Sequence, residues 1–220
     1  MDNSADNKVP KTAPAVQGTS TGKTFSISEA IKYGFNFFKT NLTTLLKLGA
    51  VLILINIISN MVTGLFKDNP LSFLWALISM VISILVQIGS IKITLELYDG
   101  KPLNFSNLYS QSNLILRYLG ASILYGLMVA VGLILLIIPG IYLAIKYQFF
   151  SFLIVDKNMG IMESFKKSEE MTQGVKMNLL LFSLALAGIN ILGALVFLVG
   201  LIVTIPTTVM ATVYVYRKLL

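Results

Sequence analysis

The chain contains neither histidine nor cysteine, and charged residues make up only 12% of its 220 positions. Without imidazole or thiolate there is no usual zinc, haem or iron–sulfur ligation, no Ser-His or Cys-His nucleophile pair and no imidazole proton shuttle, so no cofactor or metal is expected. The lack of cysteine also excludes a small secreted domain stapled by disulfides. Acidic side chains are scarce as well. The ten are Asp2, Asp6, Glu29, Asp68, Glu96, Asp99, Asp156, Glu163, Glu169 and Glu170. None falls in the middle of an apolar run, which removes a paired-carboxylate mechanism from such a run. A Ser-Lys arrangement using Lys146 is formally open, although serine in an apolar helix usually bonds its own backbone. The composition therefore reads as that of a protein that is not an enzyme.

What the chain does have is long apolar runs. Leu42 to Phe66 is a stretch of 25 residues whose only charge is Lys47, and at about 1.5 Å per residue it exceeds the roughly 30 Å of bilayer hydrocarbon. Leu71 to Ile91 is uncharged and carries Trp75 near its start, where an amphipathic ring sits at headgroup level. Residues 118–155 hold the single charge Lys146 and residues 177–216 hold none, so each block is long enough to cross twice. The expected fold is an all-α polytopic membrane helix bundle with six transmembrane helices arranged as three hairpins. Its domain organisation is a disordered polar tail over residues 1–24 followed by one helical membrane domain over residues 25–220.

The cationic residues orient this map. Sixteen of the seventeen Lys and Arg side chains fall in segments that three out-and-back hairpins place on one side, and Lys67, in the short Lys67-Asp68-Asn69-Pro70 turn, is the exception. By the positive-inside rule both termini are cytoplasmic in a cell membrane, and the crossings are even in number. Two turn positions are open within residues 118–155. Either Pro139-Gly140 is the outer turn, or Gly132 turns the chain and Pro139 kinks a longer helix; Lys146 favours the second, because its side chain then snorkels from nearer the cytoplasmic half. The turn within residues 177–216 is equally open.

Three connectors have a helical pattern of their own. Ser26-Ile27-Ser28-Glu29 has capping-box spacing, and Ile27, Ile31, Phe35 and Phe38 follow at helical intervals. A weaker pattern runs from Phe105 through Leu108 and Tyr109 toward Ile115. A third covers Ile161 to Thr172, with Phe165 and Met171 inward, Lys166, Lys167, Glu169 and Glu170 outward, and Gly174 placed to end the helix. Each reads as an interfacial amphipathic helix preceding a hairpin. The net charge of +7 is spread along these connectors, which favours anionic lipid headgroups over nucleic acid as the partner. Gly18-Thr19-Ser20-Thr21-Gly22-Lys23-Thr24 imitates a P-loop but is one residue short between its glycines and follows no strand.

Polar residues inside the runs are the remaining candidates. Asn56 and Asn60 share a face of the first helix, Gln87 lies late in the second, Lys92 and Glu96 stand four apart where it emerges, Lys146 is the single charge of residues 118–155 and Asn190 lies in the fifth helix. They define either a polar path for a solute or interhelical hydrogen bonds that hold the bundle. Ser122, Gly126 and Ala130 form a small-residue stripe suited to close helix packing. Gly132-Leu133-Ile134 with Ile138-Pro139 echoes Gly200-Leu201-Ile202 with Ile205-Pro206, as in an internal repeat.

The segments Ile138-Pro139-Gly140-Ile141-Tyr142-Leu143, Phe152-Leu153-Ile154-Val155-Asp156, Glu163-Ser164-Phe165-Lys166-Lys167-Ser168 and Met171-Thr172-Gln173-Gly174 resemble the membrane domain attached to some glycerophosphoryl diester phosphodiesterases. They are also similar to YciC-like uncharacterised inner-membrane proteins. The resemblance covers residues 132–176 and, at the end of the chain, 204–219. It implies a polytopic bacterial-type membrane protein and supplies no catalytic residue, since the phosphodiesterase domain is absent. The leading expectation is an integral membrane protein that organises lipid or a membrane or soluble partner protein without catalysis. The alternative is a small transporter or channel, and a membrane-embedded lipid enzyme ranks third.

Overall fold

The computed structural model describes residues 24–65, 70–196 and 199–220, and among these the chain is all α-helical. The polar tail of residues 1–23, with most of the P-loop look-alike, and the turn residues Lys67, Asp68 and Asn69 lie outside the described residues. A short helix α1 (Ile27–Thr40) leads through Asn41 into α2 (Leu42–Leu65), which pairs with α3 (Ser72–Tyr98). Then come two 3-10 turns, α4 (Ile115–Leu135), α5 (Ile137–Tyr147), α6 (Phe150–Lys157), α7 (Ile161–Thr172), α8 (Lys176–Leu195) and α9 (Leu201–Leu219). Five segments are long and apolar enough to cross a membrane: α2, α3, Phe105–Leu135 ending in α4, Ile137–Lys157 containing α5 and α6, and α8. The sixth crossing expected from the sequence corresponds to α9, which is not among the five and carries Pro206, Arg217 and Lys218.

Burial divides the molecule in two. The core is built from residues 25–48, 84–121, 145–182 and 207–219, which form three adjoining apolar clusters centred on side chains such as Ile88, Phe149, Leu153, Met171, Leu179 and Tyr216. Beyond it extend three apolar arms. In α2–α3 no described residue from 49 to 83 is buried; in α4–α5 the buried residues between 122 and 144 are Gly132 and Gly140; in α8–α9 between 183 and 206 only Gly193 is buried among the described residues. Leu, Ile and Val side chains dominate these uncovered faces, and an aqueous surface of that kind would cost on the order of 25 cal/mol per Å². In hydrocarbon it costs nothing, so the arms are the lipid-facing part of a multi-pass membrane protein.

The second arm turns at neither of the positions read from sequence. Leu136 alone, with extended backbone (φ −162°), joins α4 to α5, and Pro139 falls in the first turn of α5, where its missing N–H has no helical acceptor to lose. Gly132 and Gly140 make the turn possible, because a Cβ on Gly132 would lie 2.8 Å from the Gly140 Cα. Gly193 and Gly200 meet in the same manner in the third arm, where a Cβ on Gly200 would approach the Gly193 Cα to 2.7 Å. The sequence echo that aligned Gly132 with Gly200 therefore pairs unlike positions, one near the end of α4 and one just before α9. At the centre of the Ser122, Gly126, Ala130 stripe, a Cβ on Gly126 would meet nothing within 4 Å among the described residues of the chain.

The connectors pack into the core. The buried side of α1 is Ala30, Gly34 and Phe38, rotated from the expected Ile27, Ile31, Phe35 and Phe38, of which Phe35 is exposed. α1 lies antiparallel along α9, with Glu29 at Lys218 (3.4 Å) and Gly34 against the Thr207 carbonyl, which a Cβ would approach to 2.1 Å. Phe105–Leu108 and Ser112–Leu114 are 3-10 turns in place of the amphipathic helix expected there. The first of them seats Leu108 over Gly89 of α3, whose absent Cβ leaves room for the Leu108 backbone.

Candidate functional site

The fourth crossing segment breaks after α5. Gln148 and Phe149 separate it from α6, which leaves a carbonyl and an N–H without helical partners inside an apolar core. Both are met by α7. The Ser168 hydroxyl donates to the Lys146 carbonyl (3.0 Å) and accepts from the Phe149 N–H (3.2 Å), and the Thr172 hydroxyl donates to the same carbonyl (3.1 Å). Ser164, Ser168 and Thr172 are fully buried, a polar stripe at four-residue spacing beside Phe165 and Met171, which face inward as the sequence predicts. Nothing local in the sequence signals this. The break and its caps are 19 to 26 residues apart. α7 is held at its start by Glu163, whose carboxylate accepts from the Gly160 N–H (3.2 Å), and it ends before Gly174, whose φ of +82° suits glycine as expected.

A second polar assembly ties the helix ends together. Arg217 at the end of α9 donates to Asp156 of α6 (2.8 Å) and to Asp99 just after α3 (2.7 Å). Asp156 also accepts from the Tyr216 hydroxyl (3.0 Å) and lies 3.3 Å from Lys157. Tyr33 of α1 stacks on Tyr214 and leans on Tyr98, with centroids 5.0 and 5.3 Å away. Burial pushes the Tyr33 hydroxyl well above its ordinary pKa, and Tyr98, Asp99 and Tyr214 add in the same direction. Arg117, at the start of α4, reaches the Asn158 carbonyl (3.2 Å) and side chain (2.9 Å). Asn158 ends α6 with a left-handed φ of 54°. The ends of α3, α6 and α9 and the starts of α1 and α4 thus gather on one side of the molecule, opposite the arm turns.

The structure does not bring the candidate residues read from sequence into one site. Asn60 donates to the Asn56 carbonyl (2.9 Å) and side chain (2.8 Å) within α2. Gln87 accepts from Tyr118 of α4 (3.2 Å). Lys92 lies 3.9 Å from Glu96, which also accepts from Asn107 in the connector. Lys146 forms an ion pair with Glu169 (2.8 Å), and Asn190 of α8 donates to Thr208 of α9 (3.3 Å). The Asn190 carbonyl oxygen and the Thr204 hydroxyl, both buried near this contact, have no partner among the described residues. Asn60 also lines a cleft of about 440 Å³ in the first arm with Thr63, Ser72, Trp75 and Ser79. There the Trp75 indole donates to Thr63 (2.9 Å).

Fold and site together define a multi-pass, all-α membrane protein with a packed helical base and three apolar arms. Three proteins named only as uncharacterised are similar to it: one from Mycobacterium bovis and one from Mycobacterium tuberculosis strain CDC 1551 at 25% identity, and one from strain H37Rv of the latter at 24%. Each alignment spans 228 positions, covering 89% of this chain and 69% of the relative. No family model matches the chain, and no solved structure matches it.

Proposed function

We propose that the chain is a non-catalytic integral membrane protein that organises anionic lipid, or a partner protein, at the cytoplasmic face of a bacterial-type cell membrane. The observation that carries this reading is the division between a packed base and arms exposed on their apolar faces. Acyl chains must fill the space around and between such arms, and the charged outward sides of α1 and α7 sit where headgroups would be. The resemblance to the phosphodiesterase-linked membrane domain and to YciC-like proteins supports the same reading, with both termini cytoplasmic and α9 as the sixth crossing. Catalysis has no part in it: the Lys146 amine, the one candidate for a Ser-Lys pair, is held by Glu169. Purified from a membrane of mixed lipid, the protein is expected to retain a shell enriched in anionic species. A retained shell of bulk composition would remove the reading.

A second reading, a small transporter, draws on the broken fourth segment and on the unpartnered Asn190 oxygen and Thr204 hydroxyl between α8 and α9. It requires solute flux in proteoliposomes that Asn190→Leu abolishes without unfolding the bundle. Lack of flux across a broad solute panel counts against it.

A further inference from the structure

Lys176 opens α8 at the junction between the second and third arms. Its ammonium lies 2.7 Å from the Tyr142 hydroxyl of α5 and 4.6 Å from the centre of that ring. The nearby acids are already engaged: Glu169 by Lys146 (2.8 Å) and Glu170 by Lys167 (3.4 Å). Among the described residues no carboxylate pairs with Lys176, so a cation and a phenol stand together without a counter-charge. Both helices lead from this pair toward arm turns along uncovered apolar faces. Ile138, one turn from Tyr142 toward the turn of the second arm, is 81% exposed; Leu184, two turns along α8 from Lys176, is 59% exposed, and Ile191 on the same side is 61% exposed.

We infer that Lys176 and Tyr142 form the headgroup anchor of an anionic phospholipid whose acyl chains lie between α5 and α8. This rests on the lipid-organising reading and gives it a location. The ammonium retains two donors beyond its bond to Tyr142, enough for two phosphate oxygens. The phenol keeps an acceptor and a rotatable proton at the same height. The apolar faces beyond select a lipid over a free phosphate, because only a lipid covers Ile138 and Leu184 while its charge meets Lys176.

Native mass spectrometry in mild detergent, with phosphatidylglycerol and phosphatidylcholine supplied in equal amounts, tests the site. The wild-type protein should retain phosphatidylglycerol preferentially. Lys176→Ala should weaken that retention about fivefold, the fold-change of about 1 kcal/mol per membrane-surface cation. Lys176→Arg should restore it, Tyr142→Phe should lower it by less, and the control Lys101→Ala, in the loop after α3 and on neither the α1 nor the α7 face, should leave it unchanged. Helicity measured on each variant by circular dichroism is expected to match the wild type. Excess glycerol phosphate should leave the bound lipid in place, and displacement by it would overturn the assignment to a lipid. Preferential retention that is indifferent to Lys176 and Tyr142 would sink the site while leaving the lipid-organising reading standing. No preference in the wild type would remove both.

Discussion

Arg217 is the residue on which most of the molecule converges, since its guanidinium joins α9 to Asp156 and Asp99, and with them the ends of α6 and α3. Removing it leaves Asp156, whose side chain is 12% exposed, with Lys157 as its only cation among the described residues. Breaking a fully buried pair costs roughly 3–5 kcal/mol, and the partial exposure here brings the expected loss for Arg217→Met to about 2 kcal/mol. Unfolding in SDS should shift to a lower mole fraction by a corresponding amount, and an unchanged midpoint would show that the cluster contributes little. Gly34 acts by its missing side chain. A Cβ there would sit 2.1 Å from the Thr207 carbonyl, so Gly34→Val should force α1 off α9. A short bifunctional thiol cross-linker joining cysteines placed at Glu29 and Lys218, whose side chains meet at 3.4 Å, should link them in the parent and fail in this variant; persistent linkage would contradict the close crossing. Neither position is conspicuous in the sequence. Gly34 reads there as one more residue of an amphipathic turn, and Arg217 as one of two cations ending the chain, because their partners lie up to 173 and 118 positions away.

At the scale of elements, the broken fourth segment shows why some boundaries are legible and others are not. α2 and the first half of α3 are marked by hydropathy alone, and Trp75 falls in the first turn of α3 as an interfacial ring should. The break at Gln148-Phe149 carries no proline or glycine. It is tolerated because Ser168 and Thr172 arrive from α7 to satisfy the freed backbone groups, and a long-range hydrogen bond leaves no local pattern. Ser168 alone serves the Phe149 N–H, whereas the Lys146 carbonyl is shared with Thr172, so Ser168→Ala should destabilise more than Thr172→Val, by about 1–3 kcal/mol for the N–H left unpaired. The same SDS titration ranks them, and equal effects would deny Ser168 its double role. Amphipathic spacing similarly identified α1 and α7 as helices and placed Phe165 and Met171 of α7 inward, but packing against α9 turns α1 toward Ala30 and Gly34, and the α5–α6 break adds Ser164, Ser168 and Thr172 to the buried side of α7.

For the whole molecule, the distribution of burial gives the clearest physical statement: one helical base in which apolar clusters and ion pairs close on one another, and three arms left uncovered. Hydropathy made the membrane class and the three hairpins readable, as those properties reside in composition along short stretches of chain. The division into base and arms was not readable, because it depends on which helices meet. Paired collision measurements on nitroxide spin labels in reconstituted membranes, with oxygen and a nickel chelate as relaxants, test it most directly. Labels at Ile58, Ile134 and Leu192 on the arms should be reached by oxygen and shielded from nickel, while labels at Lys32, Lys101 and Lys166 on the base should show the opposite. Nickel access at the three arm positions equal to that at the base would contradict the account.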